Sequence, residues 1–365
     1  MEKLLCDLCH PKQWKTISSS MLQSAGYPVY GANGIIGYYS EYNHSSETLL
    51  ITCRGATCGA LNICKPFSYV NGNAMALDDL SSEVDLHYLY YYLSARGLSD
   101  VITGSAQPQI VRQSLNKVRI VYPSLAEQRH IAAVLNKVTD LIAQRRAQLD
   151  KLDLLVKSRF VEMFEQGNYP KVKTSEICDF ITKGTTPPSD EIFKEDSPTR
   201  IPFLKVYNLS FTGELLFEQN PQYIERNIHE GQLSRSKVYP NDVLMNIVGP
   251  PLGKFSLIPE NYETLNINQA IAIFRAKEKI LPRFLLAALM QPEVLKPFMD
   301  QAVGVRQQNL SLEQCRNLEI SLPNIELQKQ FVKFAEQVEK SKLTIQKSLG
   351  KLETMKNALM QEYFK

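Results

Sequence analysis

The chain repeats itself over a long interval. Residues 104–164 align without a gap on residues 304–364, 200 positions further on. Gly104, Gln107, Ile120, Pro123, Gln128, Val138, Leu149, Lys151, Leu152 and Phe164 recur as Gly304, Gln307, Ile320, Pro323, Gln328, Val338, Leu349, Lys351, Leu352 and Phe364. A long-period duplication with preserved spacing means two copies of one structural unit. Here that unit is a globular stretch followed by a long helix. A chain of 365 residues has room for two or three domains. The repeat divides it into a globular part at 1–122, a helical region at 123–166, a second globular part at 167–322 and a second helical region at 323–365.

The helices carry the clearest periodicity. In the first, Gln128 opens a stripe of Ile131, Leu135, Val138, Ile142, Leu149, Leu152, Val156 and Met163, with Arg145 breaking it. In the second, Gln328 opens Phe331, Ala335, Val338, Ile345, Leu349, Leu352, Leu359 and Tyr363, with Lys342 and Lys356 intruding. Steps of four and three put one apolar seam on each helix, the coiled-coil pattern. Ser124-Leu125-Ala126-Glu127 reads as a capping box, and Asn324 as the cap of the second helix. About 40 residues at about 1.5 Å each give a rod of roughly 60 Å. Each seam alone would suit packing on its own domain. Two matched seams after equivalent domains favour the helices pairing with each other, antiparallel, with the domains at opposite ends and related by a pseudo-twofold axis. The expected fold class is α+β: two α/β domains joined by two long helices in an antiparallel coiled coil.

The globular parts read as short strands between turns: Thr48 to Cys53 and Leu61 to Cys64, then Ile201 to Tyr207, Val243 to Val248 and Ala270 to Phe274. Helices are expected at Leu86 to Leu93 and Pro282 to Met290. Asn71 to Leu77 aligns on Asn266 to Ala272 with drifted spacing. The net charge of +3 neither announces a nucleic-acid binder nor excludes a local basic face. No apolar run approaches about 18 residues and no secretory signal pattern opens the chain, so it reads as cytosolic. Seven scattered cysteines fit free thiols in a reducing compartment. Cys6-Asp7-Leu8-Cys9-His10 has haem-attachment spacing without an export signal, and Cys6 and Cys9 with Cys53 and Cys58 make only a loose zinc set. Packed thiols are expected, with no metal and no cofactor.

No set of nucleophile, base and orienter stands out. Gly249-Pro250-Pro251-Leu252-Gly253-Lys254 is no P-loop, because prolines remove the N–H donors that cradle phosphate. Asn220-Pro221-Gln222-Tyr223 resembles an amino-methyltransferase motif but lacks a glycine-rich cofactor loop, and reads as a turn. The better candidates are polar, glycine-flanked loops. They comprise Asn33 and Gly34, Arg54 and Thr57, Gln107, Gln109 and Arg112, then Lys183, Thr185 and Thr186, Lys205 and Asn208, Asn268 and Gln269, and Arg306, Gln307 and Asn309. Amides can read adenine, arginine can read guanine, and glycine lets backbone approach phosphate. Each segment taken alone also fits plain turn chemistry.

The layout resembles the DNA-specificity subunit of type I restriction–modification systems over essentially the whole length. The residues carrying the resemblance are Pro123 with Gln128 and Pro323 with Gln328, and the upstream Gly-x-x-Gln pairs. Gly26 to Gly34, Arg54 to Thr57, Lys183 to Pro187 and Asn268 to Ala270 resemble segments of such subunits' target-recognition domains. The resemblance implies that each globular part reads half of a split, asymmetric DNA site and that the helices set the gap. It also implies that two modification subunits bind S-adenosylmethionine and methylate adenine, and that motor–nuclease restriction subunits join them. The chain itself is then non-catalytic and holds no cofactor. A duplicated protein scaffold without DNA binding is the main alternative, and a solitary methyltransferase built on Asn220 to Tyr223 the other.

Overall fold

The computed structural model describes residues 1–32, 34–104, 107–164, 167, 169–249, 251–300 and 309–364, with backbone alone at 298–300. Two compact units divide it: Met1–Ala147 with Gln346–Lys365, and Gln148–Ile345. The long helices Leu125–Phe164 and Ile325–Phe364 are 40 residues each. The division falls inside both, so each unit holds the start of one helix and the end of the other.

The first unit contains an antiparallel four-stranded sheet in the order His10–Gln13, Ala74–Asp78, Thr48–Thr52, Leu61–Cys64. Thr48–Thr52 is buried at every position, the pattern of a strand covered on both faces. A second sheet pairs Tyr27–Gly31 antiparallel with Gly34–Tyr39 and parallel with Tyr69–Val70. The second unit has the same plan. Its four-stranded sheet runs Cys178–Lys183, Ile271–Ala276, Val243–Asn246, Phe255–Leu257, and its second sheet pairs Arg200–Leu204 antiparallel with Tyr223–Glu225 and parallel with Leu265–Ile267. The duplication therefore covers the globular parts, as the repeat led one to expect, although their sequences have diverged.

The shared plan corrects one alignment. Asn71 N donates to Tyr30 O (2.9 Å) and its carbonyl accepts from Ala74 N (2.9 Å). Asn268, not Asn266, does the same with Leu204 O (3.0 Å) and Ile271 N (3.2 Å). Strand bounds differ modestly from expectation. Arg200–Leu204 stops early because Val206–Asn208 closes into a 3-10 turn.

Asp85 Oδ1 caps the helix Leu86–Arg96 by accepting from His87 N and Tyr88 N, both at 3.0 Å, and Pro282 opens the equivalent helix Pro282–Leu289. Ser124 Oγ and Asn324 Oδ1 cap the long helices by accepting from Glu127 N (3.4 Å) and Leu327 N (3.0 Å). Within each unit the two long-helix segments run antiparallel. Arg146 pairs with Glu353 (2.7 Å) in the first; Asp153 pairs with Lys342 (2.9 Å) and Phe160 packs on Phe331 (5.3 Å) in the second.

The seams divide their labour along their length. Ile131 and Leu135 lie in the first unit's core, and Phe331 and Ala335 in the second's. Val138, Ile142 and Val338 are buried, while Leu149, Leu152, Val156, Ile345, Leu349, Leu352 and Leu359 are half-buried. The recurring phenylalanines close the ends: Phe364 packs on Tyr88 (5.5 Å), and Phe164 on Phe284 (5.1 Å). Gln128 and Gln328, at the opening of the seams, are wholly buried. Gln128 Oε1 accepts from Asp85 N (2.9 Å), and its Nε2 donates to Glu83 O (3.0 Å) and Pro123 O (3.1 Å). Gln328 repeats this with Leu281 N (2.9 Å), Lys279 O (3.1 Å) and Pro323 O (3.0 Å). Both are clamps tying the approach to a domain helix to the start of a long helix, which corrects their reading as coiled-coil or partner contacts.

Candidate nucleic-acid interface

In the first unit the candidate loops converge on one rim. Arg54 forms an antiparallel bridge with Gln109, and Gly55 N donates to Pro108 O (3.2 Å). Gln109 exchanges backbone hydrogen bonds with Thr103, both at 2.8 Å. The Thr52 hydroxyl donates to Ala32 O, bringing the hairpin tip at Gly34 beside the same strand end. Arg54, Thr57, Gln107, Gln109 and Arg112 are exposed. A guanidinium, two carboxamides and open glycine backbone therefore share one edge. Asn33 lies outside the described residues.

In the second unit Lys183, Thr185, Gln269 and Asn309 are exposed, and the Thr186 hydroxyl donates to Gln269 Oε1. Gly184 N donates to Ile271 O (3.2 Å), joining the Lys183 segment to Asn268 and Gln269. Lys205 is half-buried. Asn208 is a correction: it is fully buried, its Oδ1 accepts from Lys205 N (2.9 Å) and its Nδ2 donates to Leu216 O (3.4 Å). Its amide fastens a turn, and its burial keeps it from a ligand. Arg306 and Gln307 lie outside the described residues.

Asn268 shows how the copies diverge. Its counterpart Asn71 is satisfied, Oδ1 accepting from Ile17 N (3.1 Å) and Gly72 N (2.9 Å). Ile17 and Pro187 hold the same place, each leading from the first sheet strand into the 3-10 turns Ser19–Met21 and Ser189–Glu191. Proline has no N–H to give. Asn268 Oδ1 is accordingly buried with no hydrogen-bond partner, an uncommon state for a buried acceptor.

The thiols are packed. Cys9 Sγ donates to Leu5 O (3.3 Å), and burial pushes its pKa up to about 12; burial likewise raises Cys6, Cys53 and Cys58. Among the described residues no three His, Cys, Asp or Glu side chains are grouped to hold a metal ion, and no helix is long and apolar enough to cross a membrane.

The family model described as "Type I restriction modification DNA specificity domain" matches residues 1–152 and 167–354. The chain belongs to this family. It is 25% identical over 349 residues to the type I restriction enzyme EcoBI specificity subunit of Escherichia coli, covering 86% of this chain and 68% of that one. It is 33% identical over 115 residues to the EcoprrI specificity subunit of Escherichia coli, covering 32% of this chain and 28% of that one. The crystal structure of a type I restriction–modification S subunit from M. genitalium has the same fold, with TM-score 0.60 at 16% identity over 100% of this chain and 96% of that one. The family is one of specificity subunits, which makes this chain a DNA-specificity protein and not itself an enzyme.

One element of the specificity fold was missed in the sequence. Val248, Gly249 and Gly253, the last two from the segment set aside as no P-loop, occupy the places of Arg54, Gly55 and Gly59. Val248 bridges Asn309 as Arg54 bridges Gln109. The spaced glycines Gly55 and Gly59, against Gly249 and Gly253, were the available signal.

Proposed function

We propose that this chain is the subunit that gives a type I restriction–modification complex its sequence specificity, by reading a bipartite, asymmetric DNA site. Each unit takes one half-site. The observation that supports this best is one fold used twice with unlike polar rims: Arg54 and Gln109 in the first, Val248 and Asn309 in the second. Equal rims would suit a palindrome, and unlike rims suit two different half-sites. The long helices set the unread gap and dock two modification subunits. Those subunits bind S-adenosylmethionine and transfer its methyl group to adenine; motor–nuclease restriction subunits join the assembled methyltransferase. The chain's own work is recognition and assembly.

The test is a single-molecule methylome of cells expressing this chain with its modification subunits, compared with cells lacking only this chain. Loss of one split, adenine-methylated motif is the expected result. An unchanged methylome would favour the protein scaffold. DNA binding by the purified complex should also fall steeply with salt as phosphate counterions are released.

A further inference from the structure

The strand ends at Arg54 and Val248 and the glycine pairs that follow them, Gly55 with Gly59 and Gly249 with Gly253, are equivalent in backbone and unlike in side chain. Cys53 N donates to Asn73 O (3.1 Å), and its carbonyl accepts from Ile110 N (3.0 Å). Ile247 repeats both bonds, to Ala270 O and from Leu310 N, each at 2.8 Å. The next residue in each case forms a lone antiparallel bridge, Arg54 with Gln109 and Val248 with Asn309. Gly55 and Gly59 have φ of +93° and +90°, and Gly249 and Gly253 have +99° and +96°. A Cβ at Gly55, Gly249 or Gly253 would meet nothing within 4 Å. Left-handed backbone, not crowding, therefore requires glycine there, and the outer side of the turn is open to a ligand.

The side chains on this shared frame differ in what they can offer a base. Arg54 is exposed, and a guanidinium donates two parallel hydrogen bonds to guanine O6 and N7. Val248 packs against its unit's core and has no polar group. Asn309, across the bridge from it, is exposed, and a carboxamide pairs with adenine N6 and N7.

The geometry points to these two bridges as the same reading position in two half-sites: Arg54 selects a guanine in one, and Asn309 selects an adenine in the other. The inference rests on the DNA-reading role proposed above and adds the residues and the bases.

Methylomes of cells carrying the complete complex with Arg54→Ala, Arg54→Lys or Asn309→Ala test it against wild type. Arg54→Ala should relax one G·C pair in one half-site, lowering discrimination there by about 5- to 150-fold. Arg54→Lys should not restore it, because an ammonium lacks the bidentate fork. Asn309→Ala should relax one A·T pair in the opposite half-site. In each variant the untouched half-site reports that the protein still folds. The inference is overturned if Arg54→Ala changes neither half-site, or if both alanine variants alter the same half. It is also overturned if Arg54→Ala lowers methylation evenly and Arg54→Lys recovers it, which is the behaviour of a phosphate contact. A wild-type complex that yields no split motif would instead remove the DNA-specificity reading itself.

Discussion

Gln128 and Gln328 each satisfy three backbone groups from inside the protein. Removing such a side chain leaves a buried N–H and two carbonyls to be repaired, at about 1–3 kcal/mol for an unsatisfied group. We expect Gln128→Ala and Gln328→Ala each to cost about 2–4 kcal/mol without altering the sequence read. Trp14, the single tryptophan, lies in the first unit and can follow the Gln128 variant in urea by fluorescence. Hydrogen exchange at the buried strand Val243–Asn246 can follow the Gln328 variant. A loss below about 0.5 kcal/mol, the range of ordinary surface substitutions, would show that the clamp is dispensable. The recurrence of these glutamines was visible in the sequence, but their work was not. A buried clamp and a partner-docking group leave the same trace in a repeat, and only the backbone atoms they meet tell them apart. The same applies to Asn208, whose polarity suggested a reader until its burial was known.

Lys342 marks where the two helical elements part. The first helix has buried Ile142 at the corresponding place, whereas Lys342 is buried against Asp153 (2.9 Å) and Glu214 (2.5 Å), with Glu339 at 3.9 Å. Burial works against its charge, but the hydrogen bonds its ammonium donates to Asp153 and Glu214 and the charge of Glu339 outweigh it and raise its pKa above 10.5. A raised folded pKa means this contribution is fully present below about 10.5 and lost as pH rises through the folded value. Lys342→Met should destabilise the second unit by about 2 kcal/mol near neutral pH. That is less than the about 3–5 kcal/mol of a fully buried pair, because the acidic side chains keep 27–33% exposure. Replacing Lys342, Asp153 and Glu214 together by apolar residues should recover most of the loss, as the first helix manages with isoleucine. Hydrogen exchange in the second unit reads both variants; a triple variant as weak as the single would count against the argument. A second close fit lies where the first sheet strand leaves its sheet. A Cβ on Gly184 would come within 2.0 Å of Ile267 O, and one on Gly72 within 2.8 Å of Trp14 O. One side of the crossing must be glycine, and the two units chose opposite sides. Gly184→Ala should therefore unfold the crossing locally, seen as lost protection at Ile271 N–H. The two long helices, their caps, one helix in each globular part and the strands with the longest apolar runs were legible, because periodicity and capping are local; most of the short edge strands carried no such signal. The equivalence of Arg54, Gly55 and Gly59 with Val248, Gly249 and Gly253 was not, because only sheet pairing restores a register that insertions have shifted.

At the scale of the whole molecule, the length of the long helices matters most. Two recognition elements on one duplex must respect its helical period of about 34–36 Å per turn. Each long helix is 40 residues, and each has its first part in one unit and its last in the other. Deleting one heptad from both at matched positions preserves the seam, because the seam itself repeats every seven residues. It removes about 10 Å of helix, equal to about three base pairs at about 3.4 Å each. The methylated motif should then keep both half-sites and lose about three pairs from its gap. Loss of one half-site through misphasing would also fit, since three pairs rotate the second half-site by roughly a quarter to a third of a turn at about 10–10.5 pairs per turn. A heptad deletion that leaves the gap unchanged would mean that the spacing is set by the partner subunits and not by these helices.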